Sequence, residues 1–270
     1  MKRNIWILLL GAIVLLLSCS EQHSIARRFV KQNRKTVVAL YLPGRLVKQN
    51  LREDEMPEKL ENATLEEQIE YMEGQIKVVN KIDDDKFLDI VYNTMKETLE
   101  DYGLKVQYWE GEDSTPDSVH WVINVPRIEV REINENQEFC GWVYTQRYCM
   151  DMPIDVVNVA AWFEFSNGLT NSLAFTEQNY VNETDVMFDV DYQSNKVYAN
   201  IYVDTINIDG FYRFASLLGR LYAGYCYDFL LNDFIDKRSD EPTDTIYRFR
   251  YDPYERYFYK TQSDHLIEIK

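Results

Sequence analysis

The sequence predicts an α+β protein: a mainly antiparallel sheet with two or three long helices packed against it. Three observations carry this. Between Trp121 and Val203, apolar residues recur at every second position, the repeat of half-buried strands. Across 65–79, 87–102 and 211–234 they recur every three or four positions, the repeat of helices with one apolar face. Hydrophobic residues make up 46% of the chain and aromatic residues 14%. That is enough for a packed core, and it excludes a disordered chain.

The first twenty residues have a different logic. Lys2 and Arg3 precede an apolar run from Ile5 to Leu17, which stops at Ser18-Cys19. A charged start, a short apolar core and a small residue at the cut are the layout of a secretory signal peptide. The run is shorter than the ~20 apolar residues that a membrane-spanning helix needs. Leu16-Leu17-Ser18-Cys19 resembles a lipobox, the processing site of bacterial lipoproteins. The resemblance implies that Cys19 becomes the acylated first residue, held in a membrane by ~0.8 kcal/mol per buried methylene. Ser20, where an Asp would mark inner-membrane retention, resembles an outer-membrane address. Periplasmic and surface orientations both stay open.

The expected organisation is a signal peptide at 1–18, a lipidated tether at 19–35 and a single α+β domain at 36–270. A sub-boundary, if there is one, falls at 110–118. The tether is locally basic, with Arg27, Arg28, Lys31, Arg34 and Lys35. It reads equally as a solvated linker or as a segment resting on headgroups.

Thr36 to Leu42 is rich in β-branched residues and ends at Pro43-Gly44, a buried first strand. Leu65, Ile69, Met72, Ile76 and Val79 form one helical stripe, with Asn62 or Thr64 as cap and Glu66 and Glu67 in the first turn. Asp83-Asp84-Asp85 opens a second helix with Phe87, Val91, Met95 and Leu99 inward, and Gly103 ends it. A strand at Val106 to Trp109 then implies a crossover between parallel neighbours. Strands follow at Trp121 to Val130, Val156 to Phe165, Leu173 to Tyr180, Val186 to Val190 and Val197 to Val203. Asn167-Gly168 and Gln193 to Lys196 supply turns. A long helix spans about 209–236, with Gly219 and Gly224 read as allowing close packing on the sheet. Ile246 to Tyr259 reads as a terminal hairpin turning at Asp252-Pro253, and His265 to Ile269 as an edge strand.

Chemistry is harder to find. The sequence has no nucleophile elbow, phosphate loop or dinucleotide fingerprint. His23, His120 and His265 lack ligand spacing, so no metal site or cofactor is expected. Asp189, Asp191, Gln193 and Asn195 imitate a calcium loop, but Ser194 stands where that loop needs Gly and Asn200 where it needs Glu. A net charge of −16 argues against nucleic acid as a partner. Cys140 and Cys149 read either as a disulfide across a hairpin or as two buried thiols. Cys226 falls in the long helix and reads as core. The tyrosines of the tail read as cross-strand packing before sugar stacking.

Four tripeptides match the Bacteroidetes O-glycosylation pattern, with Ser114, Ser118, Thr205 and Thr245 as acceptors. Together with the lipobox, the phrases VALYLP at 38–43, VNVAAWFEFS at 157–166 and the run across 217–235 resemble a family of Bacteroidetes outer-membrane lipoproteins with no assigned activity. The resemblance therefore transfers no site residue. It implies a lipid-anchored, non-enzymatic accessory or scaffold component of an envelope transport or assembly system, with a protein partner and the membrane as contacts. The alternative is a surface lipoprotein that binds glycan or another small ligand.

Overall fold

The computed structural model describes residues 21–51, 64–68, 78–108, 118–181, 184–204, 206–240, 247–262 and 266–269. Its fold is α+β. Helix α1 (21–32) is followed by a 3-10 turn at Asn33–Lys35, β1 (Val37–Tyr41) and β2 (Val47–Asn50). Next come α2 (Asp84–Asp101) and β3 (Lys105–Tyr108). Four longer elements follow: β4 (Trp121–Val143), β5 (Gln146–Ser166), β6 (Asn171–Val181) and the hairpin of β7 (Thr184–Asp191) and β8 (Lys196–Val203). Helix α3 (Ile208–Asp236), the hairpin of β9 (Tyr247–Asp252) and β10 (Tyr257–Gln262), and β11 (Ile267–Ile269) complete the chain.

The main sheet has the order β11-β6-β5-β4-β1-β3, and β2 also pairs with β4. It is mixed. β1 runs parallel to β3 and β4, and β2 parallel to β4, whereas β4, β5, β6 and β11 are antiparallel. β1 and β2 occupy successive stretches of the same strand, pairing with 121–124 and 129–132. The β4–β5 register slips between Asn124 and Arg127, where Pro126 has no N–H to give the ladder.

One face of the sheet and the helices share a core. Ile123, Val125, Ile128 and Val130 of β4 and Val157, Val159, Ala161 and Phe163 of β5 meet Phe87, Val91, Met95 and Leu99 of α2. Phe211, Leu218, Tyr222 and Cys226 of α3 belong to the same core. Each such side chain contributes ~1.5–3 kcal/mol on burial. A Cβ on Gly219 would lie 2.8 Å from the Val91 carbonyl oxygen and from the Thr94 side chain. The close approach at Gly219 is therefore between α3 and α2, helix against helix, and not against the sheet.

The local signals act where the sequence places them. Asp83 accepts from the Lys86 N–H and caps α2. Gly103 takes φ +93° at its end, and Gly168 takes φ +78° in the β5–β6 turn. Thr64 and Glu67 form a reciprocal capping box ahead of a helical turn at 65–68. The middle of the stripe read there, Ile69, Met72 and Ile76, lies outside the described residues. Val79 is buried in a 3-10 turn and not in an α-helix. Glu132, buried in β4, holds that turn by accepting from the Val78 and Val79 N–H groups at 3.0 and 3.2 Å.

The largest departure is at 21–35. This segment is helical and docked, not a linker. Ile25, Ala26 and Phe29 are buried in the main core, and Gln22 accepts from Lys260 of β10 at 2.7 Å. Composition misleads here because the five basic residues mask a buried stripe of Gln22, Ile25, Ala26, Phe29 and Asn33, only three of them apolar. Among the described residues no helix is long and apolar enough to cross a membrane.

Candidate functional site

β4 and β5 are 23 and 21 residues long, about 70 Å of strand at ~3.3 Å per residue. β6 pairs with β5 only as far as Val156. Beyond that point residues 134–155 continue as a two-stranded arm, about 30 Å of it past the edge of the main sheet. The turn at its end is Tyr144-Thr145, with Tyr144 at φ 54°.

The hairpin of β7 and β8 packs on this arm without joining its ladder. Phe188 of β7 lies against Gly141, where a Cβ would stand 2.8 Å from its ring, and it stacks on Tyr148 at 6.4 Å. Gly141 is thus the position that lets an aromatic ring reach the arm's backbone. At the far end the two turns meet, for the Tyr192 hydroxyl is hydrogen-bonded to Tyr144, and this pairing is the main cause of its raised pKa.

Cys140 and Cys149 face each other across the β4–β5 ladder and are joined in a disulfide. Both are exposed, not buried. The Arg147 guanidinium donates to Cys140 Sγ at 3.1 Å.

The arm and the β7–β8 hairpin packed on it leave large apolar groups in solvent. Trp142 is 69% exposed, Tyr144 77%, Tyr192 81% and Tyr202 67%; Met187 is also exposed. Trp142 and Tyr144 are held on the disulfide-braced ladder, and aromatic residues are over-represented among protein-binding anchors. Trp142 and Tyr144 at the arm's end, with Tyr192 beside them, form one exposed apolar group of the kind that marks contact surfaces, whereas Tyr202 lies at the other end of its hairpin. None of these residues stood out in the sequence. The available signal was alternation running on through polar partners from 131 to 155, but the turn has no Asn-Gly or Asp-Gly pair to announce it.

A second concavity lies between α3 and the terminal hairpin, about 210 Å³ in volume. Asn232 of α3 builds its floor. Its amide donates to the Phe249 carbonyl at 2.9 Å and accepts from the Phe249 N–H at 3.0 Å, as a neighbouring strand would. Asp228 lies beside it, its pKa pushed up to about 7 by burial, against the opposing pull of the Tyr251 N–H and Arg250. The other charges are matched within the chain: Arg248 with Asp236 at 3.3 Å, and Lys237 with Asp233 at 2.8 Å. The cleft therefore acts as a joint that docks the hairpin on α3. The tail aromatics follow suit. Phe249 and Phe258 are buried, and Tyr251 packs on Tyr227. Tyr257 and Tyr259 stack on each other on the exposed side.

Of the other residues singled out in the sequence, Cys19, Ser114, Thr205, Thr245 and His265 lie outside the described residues. Ser118 is exposed. His120 accepts from the Val37 N–H at 3.1 Å and closes the end of β1. His23 sits edge-on to Phe249, its pKa lowered by burial and then by Arg27 and Lys260. The two histidines do separate structural work. Asp191 accepts from the Gln193 N–H and the Ser194 hydroxyl, an Asx turn that closes the β7–β8 loop. A scan against protein-family models and a search of curated proteins each find no match to this chain.

Proposed function

We propose that this is a lipid-anchored envelope protein, acylated at Cys19, that holds a protein partner on its β arm as an accessory or scaffold component of a transport or assembly system. The arm is the observation that carries the reading. Two strands leave the sheet, a disulfide braces them, and Trp142, Tyr144 and Tyr192 stand at the far end in solvent. Membership of the Bacteroidetes lipoproteins that the sequence resembles, and an outer-membrane location, belong to the same proposal.

Two experiments test it. Labelled palmitate should enter the wild-type protein and not the Cys19→Ala variant, which should also leave the membrane fraction. A photo-crosslinking residue at 142 or 192, in living cells, should give one discrete adduct, whereas the same residue at the exposed Glu97 of α2 should give none. Absence of an adduct from the arm would overturn the docking role. A second reading, glycan binding, draws on the stacked and exposed pair Tyr257 and Tyr259. Retention on a glycan array that is lost in Tyr257→Ala would favour it.

A further inference from the structure

The basic residues ahead of the sheet are not scattered. Arg27, Arg28 and Lys31 of α1, with Arg34 and Lys35 in the 3-10 turn after it, are all exposed. They fall at i, i+1, i+4, i+7 and i+8, which is one side of a helix. The opposite side, Gln22, Ile25, Ala26, Phe29 and Asn33, is buried in the body of the protein. None of the five is in an ion pair among the described residues, although the chain has 45 acidic side chains.

Favourable interaction with the carbonyl end of the helix accounts for basic residues in the last turn. It does not account for Arg27 and Arg28, which lie further back. We infer that this face is a membrane-contact surface that fits anionic lipid headgroups. The inference rests on the lipid-anchor reading. Cys19 precedes Glu21 by two residues, a span of at most ~7 Å of chain. An acyl chain there brings α1 to the headgroup plane, within about one Debye length, where surface charge is felt. One acyl signal together with a basic patch is a known route to stable and oriented attachment. Because α1 is packed into the core, its orientation is the orientation of the whole domain.

The test places an environment-sensitive fluorophore on Gln32→Cys, an exposed position on the same face. The acylated full chain is then reconstituted into vesicles of phosphatidylcholine alone, or with about one-third phosphatidylglycerol. Nitroxide-headgroup lipids should quench the probe at least twofold more strongly in the anionic vesicles. The difference should vanish at ~0.5 M salt, where the screening length is only a few ångströms. It should vanish in Arg27→Gln/Arg28→Gln/Lys31→Gln and return with lysine at all three positions. Equal quenching in both vesicle types, with the protein still bound, overturns this inference and leaves the anchor standing. Failure of the protein to bind either vesicle overturns both.

Discussion

Asn33 and Tyr227 lie 194 residues apart and are joined by a buried hydrogen bond: Asn33 Nδ2 donates to the Tyr227 hydroxyl at 2.8 Å. The same amide nitrogen donates to the Tyr102 carbonyl at 2.9 Å, at the end of α2. One side chain, just after α1, thus ties together the first, second and third helices. Tyr102 and Tyr227 stack beside it with centroids 4.5 Å apart.

Asn33→Ala removes two hydrogen bonds, one buried and one partly buried, and leaves their acceptors unpaired by that amide. The expected loss is about 2–3 kcal/mol, read as a shift in the midpoint of urea unfolding. Tyr227→Phe should cost less, because the amide keeps the Tyr102 carbonyl. If both variants unfold like wild type, α1 is not part of the cooperative core.

Asp228 gives the fold a pH dependence. A carboxyl that holds its proton more tightly when folded adds stability that is complete below its unfolded pKa of about 4. That increment is lost as pH rises through the folded value of about 7. Asp228→Asn keeps an acceptor for the Tyr251 N–H and cannot ionise. Wild type should therefore lose stability relative to the variant between pH 4 and pH 8, on the order of 2–4 kcal/mol. Parallel stability curves for the two proteins across that range would contradict this.

Tyr222 is completely buried in α3, and its hydroxyl has no hydrogen-bond partner among the described residues. Burying a hydroxyl without a partner costs ~1–3 kcal/mol. Tyr222→Phe keeps the ring on Phe163 and deletes the cost. It should raise the midpoint of thermal unfolding; a decrease would reveal a buried water or another partner.

The disulfide closes a loop of about ten residues, for which chain entropy gives roughly 2.5 kcal/mol. Because the arm stands apart from the core, Cys140→Ser/Cys149→Ser should be felt locally. Hydrogen exchange should speed up at 134–155 while α2 and α3 stay protected. Uniform acceleration across the chain would mean that arm and core unfold as one unit.

Much of the fold is legible in the sequence because it rests on local rules. Asp83 caps α2, Gly103 and Gly168 take positive φ, and Asp252 opens the terminal turn by accepting from the Tyr254 and Glu255 N–H groups. What is hidden depends on distant partners. Nothing near Asn33 announces Tyr227, and nothing near Asn232 announces the backbone of Phe249. The arm escapes notice for a different reason. Its strands carry as many polar as apolar residues, so 131–155 resembles a loop until Phe188 arrives from β7 to cover Gly141. The reading of 21–35 as a linker fails because charge density is conspicuous, whereas three apolar residues, Ile25, Ala26 and Phe29, set between charges are not.

From Arg127 and Trp162 onward the β4–β5 ladder runs without a register shift to the turn at Tyr144. The arm therefore has no hinge at its base. It is built as a strut and not as a rope: under the proposed role, a partner gripping Trp142 would be kept at a set standoff from the body, and a pull there would be borne by the same ladder that carries Ile128 and Ala161. Lengthening or shortening the two strands by equal pairs of residues would change that reach in steps of about 7 Å while leaving the facing of every side chain as it was.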